Sequence, residues 1–170
     1  VIPGNTSAKE LMALAIKGGI TAMEPRYAEQ IGLDRALPAD SEQQLREVLS
    51  HAHDTEMPED AIDSMLFAQR LRDAKLAEAI IANNLGDGAV LIAGRQHSRS
   101  DYGVPFYLKL REPSAKTVSV VAMTAAELSH WQETSAAEPK AFEYIWVSMP
   151  SASTVTQPSA PPSSAKTSSL

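Results

Sequence analysis

The chain has 170 residues, with 15 Lys+Arg against 21 Asp+Glu and an isoelectric point near 5.2, which bounds it to about one domain and argues against nucleic-acid binding through bulk positive charge. It has no cysteine, so disulfides, thiolate metal sites and cysteine nucleophiles are excluded. Its core must come mainly from Ala, Leu, Ile, Val and Met, because 44% of residues are hydrophobic but only 5% aromatic.

No run approaches the roughly 18 apolar residues of a membrane span, and the amino terminus lacks the basic and then apolar pattern of an export signal. The opening "VIPGNTSAKE" has neither an initiator methionine nor a first strand, so Val1 is not expected to be a natural domain start.

Residues 1–84 read as a helical subdomain. Ser7 and Glu10 form a capping box ahead of "KELMALAIK", which Gly18-Gly19 stops. Pro25 can open a short "PRYAEQI" turn or helix. Asp40 is placed to cap "SEQQLREVLSHAH", with Gln43 at the reciprocal position. The longest helix is predicted from about Pro58 to Asn84, where "NNLGDG" stops it.

Residues 85–149 change character. "AVLIAG" is a short continuous apolar run, as a strand buried on both faces reads in a parallel sheet. "TVSVVAM" from Thr117 and "FEYIWVSM" from Phe142 are two further strand candidates, and "AAELSHWQ" between them is a candidate helix capped by Thr124. The order of helices, strand, helical turn, strand, helix, strand predicts an α/β fold. Its three-layer sheet has a parallel central strand and follows an all-helical subdomain. Residues 150–170 are Ser, Thr, Ala and Pro with one lysine, the composition of a disordered tail.

Two places carry candidate chemistry. On the long helix, Ile62, Leu66, Leu76 and Ile80 fall in one stripe at about 100° per residue, with Gln69 and Asp73 in the middle of it. Buried polar groups need partners or a cavity, so these two either bond to backbone ends in the core or face a site. Phe67 and Leu71 form an apolar patch on the opposite side, suiting a helix between two layers or one in a dimer. The second place is "GRQHSRSDYGVP", just past the carboxyl end of "AVLIAG", where open α/β sheets put their ligands. Gly94 lets the backbone turn close to a ligand, and His97 is a metal ligand or proton carrier. Asp101 is placed to orient an imidazole, Arg95 and Arg99 to meet carboxylates, and Tyr102 to ligate ferric iron. The alternative for the whole segment is a polar loop that only caps the sheet.

Other features carry less. His51, His53, Asp54 and Glu56 of "HAHDTE" can chelate a metal only if the helix ends between the histidines, since residues two apart on a helix diverge. His130 beside Trp131 reads as a surface or packing residue. Ser98 and Ser100 lie near His97 without a nucleophile elbow. No phosphate-binding glycine loop occurs, and Gly86-Asp87-Gly88 reads as a helix stop.

Three segments together resemble one family. "MLFAQRLRDAKLAEAI" is similar to its A-Q-x-x-R/x-D-x-x-M/L-A helix, "VLIAGRQHSRSDYGVPFYL" to its V-L-I-A-G-N-G-H-x-R-x-D-x-G-V-P run, and "FEYIWVSMP" to its closing F-D-Y-V-W-F-T-P strand. The family is that of the ChaN-like haem-binding lipoproteins of bacterial iron uptake, related in fold to Tiki-type proteins. The resemblance implies haem as cofactor and cargo, a non-catalytic role in iron acquisition, and a homodimer with haem held by tyrosine and histidine. It also implies a haem receptor in the outer membrane as partner, and a place in the cell envelope on a lipid anchor upstream of Val1.

The matching positions are Gly94, His97, Arg99, Asp101, Gly103 and Pro105 in the loop, and Gln69 and Asp73 on the helix. The implied iron ligands are His97 and Tyr102, with Tyr27 as the alternative tyrosine. Arg95 or Arg99 would pair with propionates, and Phe67, Leu71, Phe106 and Tyr107 would supply apolar walls. The sequence departs from the family pattern in two ways. Arg95 and Gln96 replace the Asn-Gly before the histidine, and the family's opening strand with its G-E-x-H motif is missing. An incomplete domain lacking its first strands is therefore expected, with exposed edges that favour dimerisation or aggregation. The alternatives are a divalent-metal hydrolase of the Tiki type, in which G-x-x-H supplies one ligand, and a structural interaction module.

Overall fold

A computed structural model describes residues 7–52, 57–84, 86–134 and 141–148. Helix α1 (Ala8–Ile16) opens with Ser7 accepting from the Glu10 amide, the expected cap, and ends where Gly18 turns left-handed at φ 115°. A 3₁₀ turn (Gly19–Ala22) leads to α2 (Pro25–Gln30), which starts on its proline. The third helix, α3 (Ala39–His51), begins one residue before Asp40, so Asp40 sits in the first turn and Pro38 occupies the cap position. A carboxylate there still favours the positive helix end.

The long helix α4 (Glu59–Asn83) runs between Pro58 and Asn84, matching the sequence reading. It is the axis of the fold. Leu71, Ala74 and Ala77 are sealed in a core with Leu11, Ile31 and Tyr107, while Leu66 joins a second core with Leu37, Leu45 and Tyr102. Apolar residues all around α4 thus meet neighbours, as expected for a helix held between layers. A 3₁₀ turn (Arg95–Ser98) and α5 (Val104–Arg111) follow, with α5 laid against α4.

The remaining chain forms a parallel β-α-β unit: β1 (Val120–Thr124), α6 (Ala125–Thr134) and β2 (Tyr144–Ser148), with Val120 opposite Tyr144 and Thr124 opposite Ser148. Thr124 caps α6 as expected, accepting from the Glu127 amide while Glu127 accepts from that of Thr124. Val121 and Met123 turn inward onto Phe142 and Leu128. The opposite face leaves Val120, Tyr144 and Trp146 in solvent.

The chain is therefore α/β after a helical region, but two details of the expected sheet differ. Residues 89–94, "AVLIAG", form no ladder with any described residue. Only Leu91 packs on the core, while Val90 and Ile92 are 91% and 94% exposed. A strand needs a neighbour for its backbone groups, and among the described residues the sheet consists of β1 and β2 with one covered face. The expected central strand and third layer are thus not formed there. The 150–170 segment, and His53, Asp54 and Glu56, lie outside the described residues.

Candidate functional site

The two places singled out in the sequence meet. Residues 95–98 bring the His97 ring over α4, where Nδ1 lies 2.6 Å from Oδ1 of Asp73 and 3.0 Å from Nε2 of Gln69. The Gln69 amide donates to the other Asp73 oxygen at 3.3 Å. Asp73 has no exposed surface, whereas the His97 side chain keeps 19%. Burial pushes the Asp73 carboxyl up to about 6, against the opposing pull of His97, Gln69 and the Arg72 charge.

The proton arrangement follows from this set. When Asp73 is ionised it can only accept, so Nδ1 of His97 carries the hydrogen and Nε2 is left with its lone pair. No described residue hydrogen-bonds to Nε2. A buried carboxylate that fixes one ring nitrogen and leaves the other free is the arrangement of a metal-ligating histidine.

The rest of the loop is framework. Arg99, 4% exposed, grips both carboxylate oxygens of Asp101 at 2.9 and 2.7 Å, donates to Oε1 of Gln44 on α3 at 2.6 Å, and stacks on the Tyr102 ring at 4.6 Å. Asp101 therefore orients Arg99 and not the imidazole, which Asp73 holds instead. Ser100 ties the loop to Ala141 through its amide at 2.8 Å. The glycine that the loop cannot spare is Gly103, where a Cβ would stand 2.5 Å from the His97 carbonyl oxygen and 2.7 Å from that of Arg99. Gly94 has ordinary extended backbone, and a Cβ there would meet only the His97 ring at 3.8 Å. The close approach of backbone to backbone within this loop is at Gly103.

Several expected ligand contacts are otherwise engaged. Tyr102 is fully buried and its hydroxyl donates to Gln96, one of the two residues that replace the family's Asn-Gly. Meeting iron would require it to leave both Gln96 and the Arg99 stack, so its geometry is that of a core residue. Tyr27 donates to Glu78 at 2.9 Å, and burial followed by that bond pushes its phenol up to about 12, far from the phenolate an iron ligand needs. Arg95 pairs with Glu127 at 3.3 Å on the surface. Leu71 and Tyr107 have no exposure and Phe106 packs on the core, while Phe67 lines a different cavity of about 260 Å³ between the end of α1 and α4. The apolar surface near His97 in the chain is instead Val90 and Ile92.

His51 is exposed, its Nδ1 at 2.7 Å from the Glu47 carbonyl. Among the described residues no three His, Cys, Asp or Glu side chains gather as a metal site. No described helix is long and apolar enough to cross a membrane.

Residues 1–108 match the family described as haem-binding uptake, Tiki superfamily, ChaN. The chain belongs to that family. No curated protein and no solved structure matches it.

Proposed function

We propose that this chain binds haem for uptake, without catalysis, through Nε2 of His97. The observation that carries the reading is the 2.6 Å contact between Nδ1 of His97 and the wholly buried Asp73. It fixes the ring, places the proton on Nδ1 when Asp73 is ionised, and raises the basicity of Nε2 toward iron. Gln69 steadies the same carboxylate, and Arg99, Asp101 and Gly103 hold the loop that carries His97. Tyr102 contributes packing beneath the loop. Haem uptake suits an extracytoplasmic place in the cell envelope. The lipid anchor, a homodimer and an outer-membrane haem receptor are the family's implications for this chain. Nothing among the described residues favours the metal-hydrolase alternative, since His97 and Asp73 have no third ligand beside them.

The test is a hemin titration followed at the Soret band, for the wild type and His97→Ala. The wild type is expected to saturate with a shifted band and the variant to bind at least about tenfold more weakly, the loss of one iron–imidazole bond being worth more than 1.4 kcal/mol. A wild-type spectrum identical to free hemin would end the haem reading.

A further inference from the structure

We infer that the cavity between the end of α1 and α4 binds a small apolar monocarboxylate, one ring or a short alkyl chain bearing a single acid group, with its carboxylate on Arg70. His97 does not line this cavity, and the inference stands apart from the haem reading.

Size and walls set the class of ligand. The cavity measures about 260 Å³ and is walled by Ala15, Ile20, Leu33, Leu66 and Phe67, with Arg70 among its lining residues. A cavity of about 150 Å³ accepts benzene, so this one has space for a ring with a short carboxylated chain. It falls below the range of about 300–1,000 Å³ that drug-sized ligands occupy. Gly18 and Gly19 line it with bare backbone, both at positive φ, so neither contributes a side chain to fill it.

The charge comes from Arg70, which neutral acceptors hold in place. Its Nε donates to the Tyr107 hydroxyl at 3.1 Å, and Nη2 donates to the carbonyls of Leu33, at 3.2 Å, and Arg35. Among the described residues no carboxylate pairs with it. Its other terminal nitrogen, Nη1, has no hydrogen-bond partner there and is not sealed from solvent. Arg70 is therefore a positioned cation with donors to spare, the condition for receiving a carboxylate in a mostly apolar pocket.

Asp63 lines the same cavity but does not decide its charge preference. It stands seven residues before Arg70, about 10 Å along the helix at 1.5 Å per residue, and is paired with Arg46 at 2.7 Å. A cationic ligand would have to displace Arg46, whereas an anion at Arg70 displaces nothing. Over about 10 Å, salt at physiological strength screens what remains of the Asp63 charge.

The experiment titrates 3-phenylpropionate and octanoate, each beside its uncharged primary amide, into the full chain with labelled methyl groups and labelled arginine, followed by NMR. At least one acid is expected to give saturable shifts at the methyl groups of Ile20, Leu33 and Leu66. That acid should bind about tenfold more tightly than its amide, the size of one charge-assisted contact, and it alone should move the guanidinium resonances of Arg70. Ala15→Leu, which fills the cavity, should remove the shifts, and Arg70→Gln should bind acid and amide alike. Equal binding of acid and amide by the wild type would overturn the inference. So would the absence of a saturable shift with either acid, or shifts confined to Val90, Ile92 and the exposed face of the sheet. These wild-type readings decide the matter even if a variant fails to fold, and none of them bears on His97.

Discussion

Asp73 is wholly buried, yet it carries the carboxylate that orients His97, and its pKa of about 6 is the result of that conflict. The folded chain holds this proton more tightly than the unfolded one, whose aspartates titrate near pH 4. The stability due to Asp73 is therefore fully present below about pH 4 and lost as pH rises through about 6. Replacing Asp73 with Asn removes that dependence. Urea unfolding at intervals from pH 4 to 7 should show the wild type losing more stability over the window than Asp73→Asn, and parallel curves would remove the buried carboxylate from the account. Gln69 and Asp73 were legible as a pair because two polar residues interrupt an apolar stripe. Their partner was legible only through the family resemblance, which places His97, Gln69 and Asp73 among its matching positions, since no spacing rule links residues on α4 to a loop more than twenty residues on.

At the scale of elements, the 95–103 loop is a scaffold for one imidazole. Gly103 shows how tight it is: a methyl group would enter a cup of carbonyl oxygens from Gln96, His97 and Arg99, at 2.9, 2.5 and 2.7 Å. Gly103→Ala should cost about 1–3 kcal/mol through overcrowding, and it should weaken hemin binding because the displaced carbonyl belongs to His97. Denaturant unfolding measures the first effect and a Soret titration the second. The helices were readable from their caps and stops, at Ser7, Gly18, Pro58 and Thr124, since these signals are local. The contacts of Arg99 and Tyr102 within the fold were not legible, for the opposite reason. Their types suit ligand contacts, and only the tertiary packing turns both inward, Arg99 onto Gln44 and Phe142 and Tyr102 onto Leu37, Leu45 and Leu66.

For the whole molecule, the segment at 89–94 divides the sequence reading from the structure. An apolar run predicts burial on both faces, whereas Val90 and Ile92 stand in solvent together with Val120, Tyr144 and Trp146 of the sheet. Periodicity reports which side chains are apolar, and whether a neighbouring strand covers them is decided elsewhere in the fold. Ile92→Asn should accordingly change stability by less than about 0.5 kcal/mol, whereas Leu71→Ala in the core should cost about 2–5 kcal/mol. A cost for Ile92→Asn comparable to that of Leu71→Ala, read from urea unfolding, would return this segment to the interior.

The central claim is that Asp73 holds the proton of His97 on Nδ1 and thereby presents Nε2 to iron. Long-range ¹H–¹⁵N correlation spectra of histidine-labelled protein at pH 7.5 test it most directly, recorded without and with gallium protoporphyrin as a diamagnetic stand-in for haem. The account predicts a protonated Nδ1 throughout and a large displacement of the Nε2 resonance of His97 when the porphyrin is added. A proton found on Nε2, or an Nε2 resonance that stays in place while the porphyrin binds, would contradict it.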